Sequence, residues 1–459
     1  MKRTILQAFR RSSELSWTGR HPAFRSTWSR QSEVCVIFQC RAKSTSTTPP
    51  NGGALAGIKI IDLSRVLAAP FCAQILSDYG ADVIKIEDVE RGDDSRHWGG
   101  AGESGDNSIW KAEAGPFSNV FAAVNRNKRS LALNLKHDRG REIFLKLVED
   151  ADVVIENLRP GAMEKLKIGD DVLKEINPRI ILSSTSGYGS SGPFAHRAGY
   201  DMIVGAEAGL LHVTGERGGG PIRPGLSLID LGTGLYMQGA IMGALYARER
   251  TGVGQKLEGS LFETQVSLLA NVGLSWLNTG VEAQRWGTQH PTVVPYDAFQ
   301  AKDGYFVGGA TNDHQFVKLA GILGKPELAE DPRFSTNTKR VQHRDEISKI
   351  VNELFKKKTI EEWNEAFESS GMPYGGVNSM ERVFKHPQSK ARNMVVEMPH
   401  EAATKGTMSV IGPAIKWSGT PTSIRSKPPL HGEHSDEVLA ELGIDEAQRD
   451  ELRSQGTIK

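Results

Sequence analysis

Two hydrophobic periods alternate along the chain. From Gly57, GIKIIDLS is a short continuous apolar run of the kind that forms a buried strand. PFCAQILSDYG follows with Cys72, Ile75, Leu76 and Tyr79 at i, i+3, i+4 and i+7, one face of a helix opened by Pro70 and closed by Gly80. ADVIKIE predicts a second strand. Beyond a glycine-rich, charged loop from Arg91 to Gly115, the strand LALNL, the helix REIFLKLVED and the strand DVVIEN repeat the order, and a short helix at DVLKEI leads to RIILSSTS. Strands separated by helices of this length imply right-handed crossovers, so the fold class predicted is α/β with a mostly parallel sheet.

The stretch Pro221 to Gln255 reads as an apolar strand (LSLI), Asp230 at its end, a Gly-Thr-Gly hinge and a long apolar helix. At such a junction, free backbone N–H groups and the helix dipole favour an ionised carboxylate. Asp230 is therefore a candidate nucleophile; on this stretch alone the plainer reading is a helix N-cap. Gly232 and Gly234, without side chains, would let a ligand approach the backbone closely. A second helical stretch, SLFETQVSLLANVGLSWLN, follows. Past Asn278 the pattern becomes a loop and a hairpin turned at Lys302, Asp303 and Gly304, then three helical patterns near HQFVKLAGIL, RDEISKIVNELFKK and TIEEWNEAFES, a smaller domain ending near residue 375. From Asn393 short strands lead to SKPPLHGEH and a terminal helix, SDEVLAELG, capped by Ser435.

The 459 residues suffice for two or three domains, and 38% hydrophobic with 24% charged residues is ordinary for a globular enzyme. The net charge of +1 conceals an asymmetry: residues 1–43 hold nine Lys or Arg against two acids, a local +7 that leaves −6 for the rest. An acidic body speaks against a nucleic-acid partner. The Arg- and Ser-rich start predicts a mitochondrial transit peptide or disordered leader over residues 1–45, and hence a matrix location. Cys35 and Cys40 fall in it, leaving Cys72 alone in the body and no internal disulfide. No apolar run reaches the 18 residues of a membrane span. GYGSSG (Gly187 to Gly192) matches a dinucleotide fingerprint, but it follows the fourth strand and runs into Pro193 and polar residues, not an apolar helix. His431 and His434 read as solvated loop histidines, and no metal site is expected.

In order, GIKIIDLSRVLAAP, YGADVIKIE, NRNKRSLALNLK, DVVIENLRPG, PRIILSSTSGYG, LSLIDLGTG, TGVGQ and PPLHGEHSDEVLAELG resemble the class III CoA-transferase (CaiB/BaiF) family, which also contains α-methylacyl-CoA racemases. RWGTQH followed by VPYDAFQAKDGY is most similar to its mitochondrial succinyl-CoA:glutarate (hydroxymethylglutarate) transferases. The resemblance implies a Rossmann-like large domain built from residues 55–250 and 376–459, a helical linker at 251–285, a small domain at 286–375 and an interlocked homodimer. It implies transfer of CoA from a donor such as succinyl-CoA to a dicarboxylic acid such as glutarate, with acyl-CoA and a carboxylic acid as its partners and no permanent cofactor. Asp230 corresponds to the family's nucleophile, and Asp201 to a supporting acid whose other reading is a structural hydrogen bond. Arg65, Val66, Leu67, Ala68, Leu133, Asn134, Leu135, Lys136, Asn157, Arg159 and Lys165 match CoA-binding positions. Tyr200 stands where the racemases carry a catalytic histidine, and a phenol is a poor base at neutral pH, which favours transfer over racemisation. A silent acyl-CoA-binding protein is the third reading. Leu67, Ala198, Trp286 and Thr288 depart from the formyl-CoA transferases, which points away from formate and oxalate. A dicarboxylate needs a cation for its far end, for which Arg285, His290, Arg223 and Arg126 are candidates.

Overall fold

The computed structural model describes residues 52–100, 103 and 108–459, so the expected leader lies outside the described residues. Six parallel strands form the main sheet: β1 (Lys59–Asp62), β2 (Asp82–Glu87), β3 (Lys128–Ala132), β4 (Val153–Glu156), β5 (Ile181–Ser186) and β6 (Lys256–Ser260), in the order β3-β2-β1-β4-β5-β6. Successive side chains in β1 point to opposite faces. Ile60 packs with Cys72, Leu76, Ile241 and Leu245 of the helices Ala68–Asp78 and Leu228–Thr251. Ile61 packs on the other side with Phe144 of the helix Asp138–Asp150 and with Val438 and Leu439 of the helix Ser435–Glu441. Burial on both faces is why β1, β2, β4 and the start of β5 carry adjacent apolar residues and not an apolar-polar alternation.

A second core is antiparallel. β7 (Tyr296–Ala301), β8 (Gly304–Gly309) and β9 (Tyr374–Gly376) carry Phe299 and Phe306 against Phe316, Phe355 and Trp363 of the helices Asp313–Ile322, Arg344–Phe355 and Ile360–Glu368. A hairpin of β10 (Val395–Pro399) and β11 (Thr407–Ile411) precedes the terminal helices. Among the described residues no helix is long and apolar enough to cross a membrane.

Several expectations are corrected. LSLI is not a strand: the helix starts at Leu228 and already contains Asp230 in its first turn. The sheet's sixth position belongs to β6, whose KLEGS has a single large apolar residue and lies half-exposed at an edge, so no apolar run marks it. The third strand begins at Lys128, before LALNL. The second helical stretch breaks into Leu261–Leu268 and Ala270–Thr279. Ser435 lies inside its helix, and its hydroxyl accepts the N–H of Ala132 instead of capping. A further helix, Glu446–Ser454, closes the chain behind an Asp445–Gln448 capping box. His431 and His434 are not solvated; they accept from Lys459 and the Ser130 N–H, and His431 also contacts the Asp88 carbonyl. Gly232 and Gly234 serve helix packing, since a Cβ at Gly234 would stand 2.7 Å from the Ala68 carbonyl oxygen and one at Gly232 3.1 Å from Leu268.

Candidate active site

The strand order reverses between β1 and β4, and in open parallel sheets ligands bind beyond the carboxyl ends of the strands at that reversal. There the two loops are tied together by one side chain. Asn157, just after β4, accepts the N–H of Arg65 at 2.8 Å and donates to its carbonyl at 2.7 Å, beyond the end of β1. Beyond β5, Gly187 and Gly199 are in close backbone apposition: a Cβ on Gly187 would stand 2.7 Å from the Gly199 Cα. That contact brings the chain Arg197 to Asp201 over the same end of the sheet.

Asp201 opens the helix Asp201–Glu207 and is buried. Its Oδ2 accepts the N–H groups of Ile229 at 2.9 Å and Asp230 at 3.3 Å, the first free donors of the long helix. The cap is thus supplied by Asp201, the structural hydrogen bond being one of its two readings, and Asp230 does not cap. Among the described residues no donor reaches the Asp230 carboxylate, which is half-buried. Burial first, and the neighbouring Asp201 charge second, raise its pKa to about 7.

Asp230 lines a cleft of about 210 Å3 with Arg65, Val66, Leu67, Ala68, Asn157, Arg159, Thr185, Arg197 and Tyr200. Through Arg65 and Leu158 this cleft adjoins a second, of about 290 Å3, lined by Leu133, Asn134, Leu135 and Lys136. Eleven CoA-binding positions were expected, and ten line these two clefts. Lys165 does not; it is exposed at the end of a short helix. A groove of about 820 Å3 between Ile360 and Pro387 includes none of these residues.

None of the four expected cations lines the Asp230 cleft. Arg126 is buried in a two-pronged ion pair with Asp78, at 3.0 and 2.5 Å. Arg285 donates to the carbonyls of Gly219 and His212, at 2.9 and 3.1 Å. His290 accepts the N–H groups of Thr292 and Val293 through Nδ1. Arg223 is exposed. Trp286 and Thr288 are likewise outside the cleft: Trp286 sits against the guanidinium groups of Arg217 and Arg344, and Thr288 donates to Asp297. The guanidinium groups that do line it are Arg65, paired with Asp94 at 2.9 Å, the exposed Arg159, and Arg197. Arg197 pairs with Glu207 at 2.8 Å and lies over Tyr188 and Phe194. It was not anticipated, although it adjoins Ala198; no apolar periodicity flags a charged loop. Thr185 was also missed: it is 4% exposed, lines the cleft, and its Oγ1 has no partner among the described residues.

The family model of CoA-transferase family III matches residues 55–435. The chain is 57% identical over 393 residues to an acyl-CoA transferase of Fusarium pseudograminearum, covering 86% of each chain. It is 42% identical over 405 residues to human succinyl-CoA:glutarate CoA-transferase, covering 88% of this chain and 90% of that one. The crystal structure of a CaiB/BaiF family protein from Brucella suis superposes with a TM-score of 0.76 at 37% identity, over 85% of this chain and all of that one. Likeness in sequence and in fold spans nearly all the described residues, and the chain is a CoA-transferase belonging to family III.

Proposed function

We propose that the protein moves CoA from a donor such as succinyl-CoA to a dicarboxylic acid such as glutarate, with Asp230 as the nucleophile. The observation that carries this reading is a half-buried carboxylate without a hydrogen-bond donor among the described residues, in one cleft with the β1 and β4 loops at the point where the sheet order reverses. The Asp230 carboxylate attacks the thioester carbon, and the CoA thiolate leaves an acyl-aspartyl anhydride. The thiolate attacks the aspartyl carbonyl, releasing the donor acid and forming an aspartyl-CoA thioester. The acceptor carboxylate displaces the thiolate from that carbonyl, and the thiolate then takes the new acyl group and restores Asp230. Each step exchanges one activated acyl bond for another. Both oxyanions develop close to Asp230. The N–H groups of Leu67 and Ala68, which line the cleft and have no acceptor among the described residues, suit their stabilisation.

The two joined clefts suit a long ligand, with the nucleotide end of CoA toward Leu133, Asn134, Leu135 and Lys136 and its thioester at Asp230. Arg65 and Asn157 then serve the bend between them. For the acceptor's far carboxylate, Arg197 replaces the four cations first considered, because it is the cleft-lining guanidinium on the side away from the β1 and β4 loops. The names of the human and mouse relatives support this substrate pair, and the Arg- and Ser-rich start of the chain supports a mitochondrial matrix location.

We read residues 55–250 and 376–459 as one large domain, 251–285 as a linker and 286–375 as a small domain; the shared core of β1 with Val438 and the separate Phe-rich core support this division. A homodimer is supported by the exposed apolar residues Tyr236, Tyr246, Leu274, Trp276, Leu277 and Met380, more than a lone subunit ordinarily leaves to water. The test is incubation with succinyl-CoA and glutarate. Glutaryl-CoA forms without ATP, hydroxylamine traps an activated Asp230 during turnover, and Asp230→Ala does neither. Binding of succinyl-CoA without a trapped adduct would overturn the reading.

A further inference from the structure

Between β1 and the helix that follows it, consecutive backbone groups are held by side chains of β1 itself, of the neighbouring β2 and β3, and of the loops after β2 and β4. Asp62 accepts the N–H of Ser64 at 2.9 Å, and Lys85 donates to the Ser64 carbonyl at 2.7 Å. Asn157 takes both polar groups of Arg65. Asp93 accepts the N–H of Val66 with both oxygens, at 3.1 and 3.3 Å. Lys128 reaches the Pro70 carbonyl at 2.9 Å and pairs with Asp62 at 2.8 Å. The Lys85–Asp93 pair, 2.9 Å apart, exposes no side-chain surface. Ion pairs so deeply buried gain little net stability over an apolar core, which invites the question of what they hold in place.

The hooked residue answers it. Val66 has φ +72°, in the left-handed region that β-branched residues avoid. Its two successors, Leu67 and Ala68, line the cleft of Asp230. Strain of this kind persists only where the surroundings over-determine it.

We propose that Asp93, fixed by Lys85, is a positioning residue of the transfer reaction: by holding the Val66 N–H it keeps Val66 left-handed and so keeps the N–H groups of Leu67 and Ala68 at the acyl carbon carried by Asp230. The inference rests on the reading of Asp230 as nucleophile. Without the hook, valine relaxes toward an extended conformation and those two peptides turn from the cleft. Glycine has no such preference and adopts a positive φ unaided.

That difference supplies the test. In the full-length enzyme, Asp93→Ala, which removes both acceptor oxygens, lowers kcat by about 10- to 100-fold, the loss typical of a misplaced oxyanion donor or reacting group. KM for succinyl-CoA stays within about threefold, because the contacts of the bound CoA are not removed. Adding Val66→Gly to Asp93→Ala restores kcat at least about fivefold while the melting temperature stays as low as in Asp93→Ala, since glycine relieves only the conformational preference. Should Asp93→Ala not fold, Asp93→Glu keeps the charge for Lys85 while displacing the acceptor, and the same rescue is expected. A single variant as active as wild type per folded molecule, or a double variant no faster than the single one, overturns the proposal. Failure of wild-type enzyme to yield a trapped Asp230 adduct is a different result and strikes the underlying reading alone.

Discussion

One oxygen of Asp201 receives the N–H groups of both Ile229 and Asp230, so the residue that caps the long helix comes from a separate helix. The Asp230 carboxylate is left beside a like charge without a donor of its own among the described residues, and the two effects that lift its pKa to about 7, burial and then Asp201, follow from that arrangement. As a nucleophile Asp230 must be ionised. We expect kcat/KM for succinyl-CoA to rise with pH through an acid limb near 7. In Asp201→Asn the amide oxygen still accepts from the helix but the charge is gone, so the limb moves to lower pH. A limb that stays put would assign the shift to burial alone.

The same pKa has a consequence for stability. The folded value lies above the unfolded one of 3.8, so the folded protein holds this proton more tightly. Relative to an uncharged side chain, Asp230 then costs nothing below pH of about 4 and destabilises progressively as pH rises from about 4 to about 7. Asp230→Asn cannot ionise. Its melting temperature should gain on wild type across that interval and keep a constant lead above it, on the order of 2–4 °C for each kcal/mol in a domain of ordinary size.

Gly234 separates two readings of the glycine pair. A methyl group there meets the Ala68 carbonyl oxygen at 2.7 Å and Phe71 at 3.0 Å, so the helices Leu228–Thr251 and Ala68–Asp78 must part. Gly234→Ala should cost about 1–3 kcal/mol in denaturant unfolding and lower kcat as well, because Ala68 lines the cleft. At Gly232 the nearest atom is a Leu268 methyl at 3.1 Å, which can turn away. Gly232→Ala should be within about 1 kcal/mol of wild type, with alanine's higher helix propensity in its favour.

The parallel sheet and its crossovers were legible in the sequence because β1, β2, β4 and β5 are buried on both faces and carry adjacent apolar residues such as Ile60–Ile61, Val83–Ile84, Val153–Ile155 and Ile181–Leu182. β6 was not, since an edge strand with Leu257 as its lone large apolar side chain leaves no such run. The place of Asp230 was legible as a helix start, but its freedom from capping was not. That depends on Asp201, 29 positions away, and spacing along the chain does not report it. Similarly, nothing local distinguishes Arg126, buried against Asp78, from Arg197, which faces the cleft; partners brought in by the fold decide the matter.

Arg126 gives a direct check on that correction. Its guanidinium forms two bonds with the Asp78 carboxylate, whose pKa burial raises even though Arg126 opposes the rise. Arg126→Met leaves a buried carboxylate unpaired and should destabilise by about 3–5 kcal/mol. If the residue is structural, the acceptor preference of the remaining folded enzyme is unchanged, as a comparison of glutarate with butyrate will measure. A selective loss of glutarate would return Arg126 to the substrate site.

For Arg197 the opposite pattern is expected. The side chain is anchored by Glu207 and by the rings of Tyr188 and Phe194, which leaves its remaining N–H groups available to a second carboxylate over the cleft. Removing one hydrogen-bonded charge from a substrate contact commonly loses about 2–5 kcal/mol when the partner is left buried, and less at a half-exposed site such as this one. Arg197→Gln should therefore lower kcat/KM for glutarate about 10- to 100-fold, mainly through KM. Exchange between butyryl-CoA and butyrate, which has no far carboxylate, should change by less than about threefold, because neither partner can use the missing cation. Equal losses on both acceptors would show that Arg197 shapes the cleft without reading the substrate's second charge.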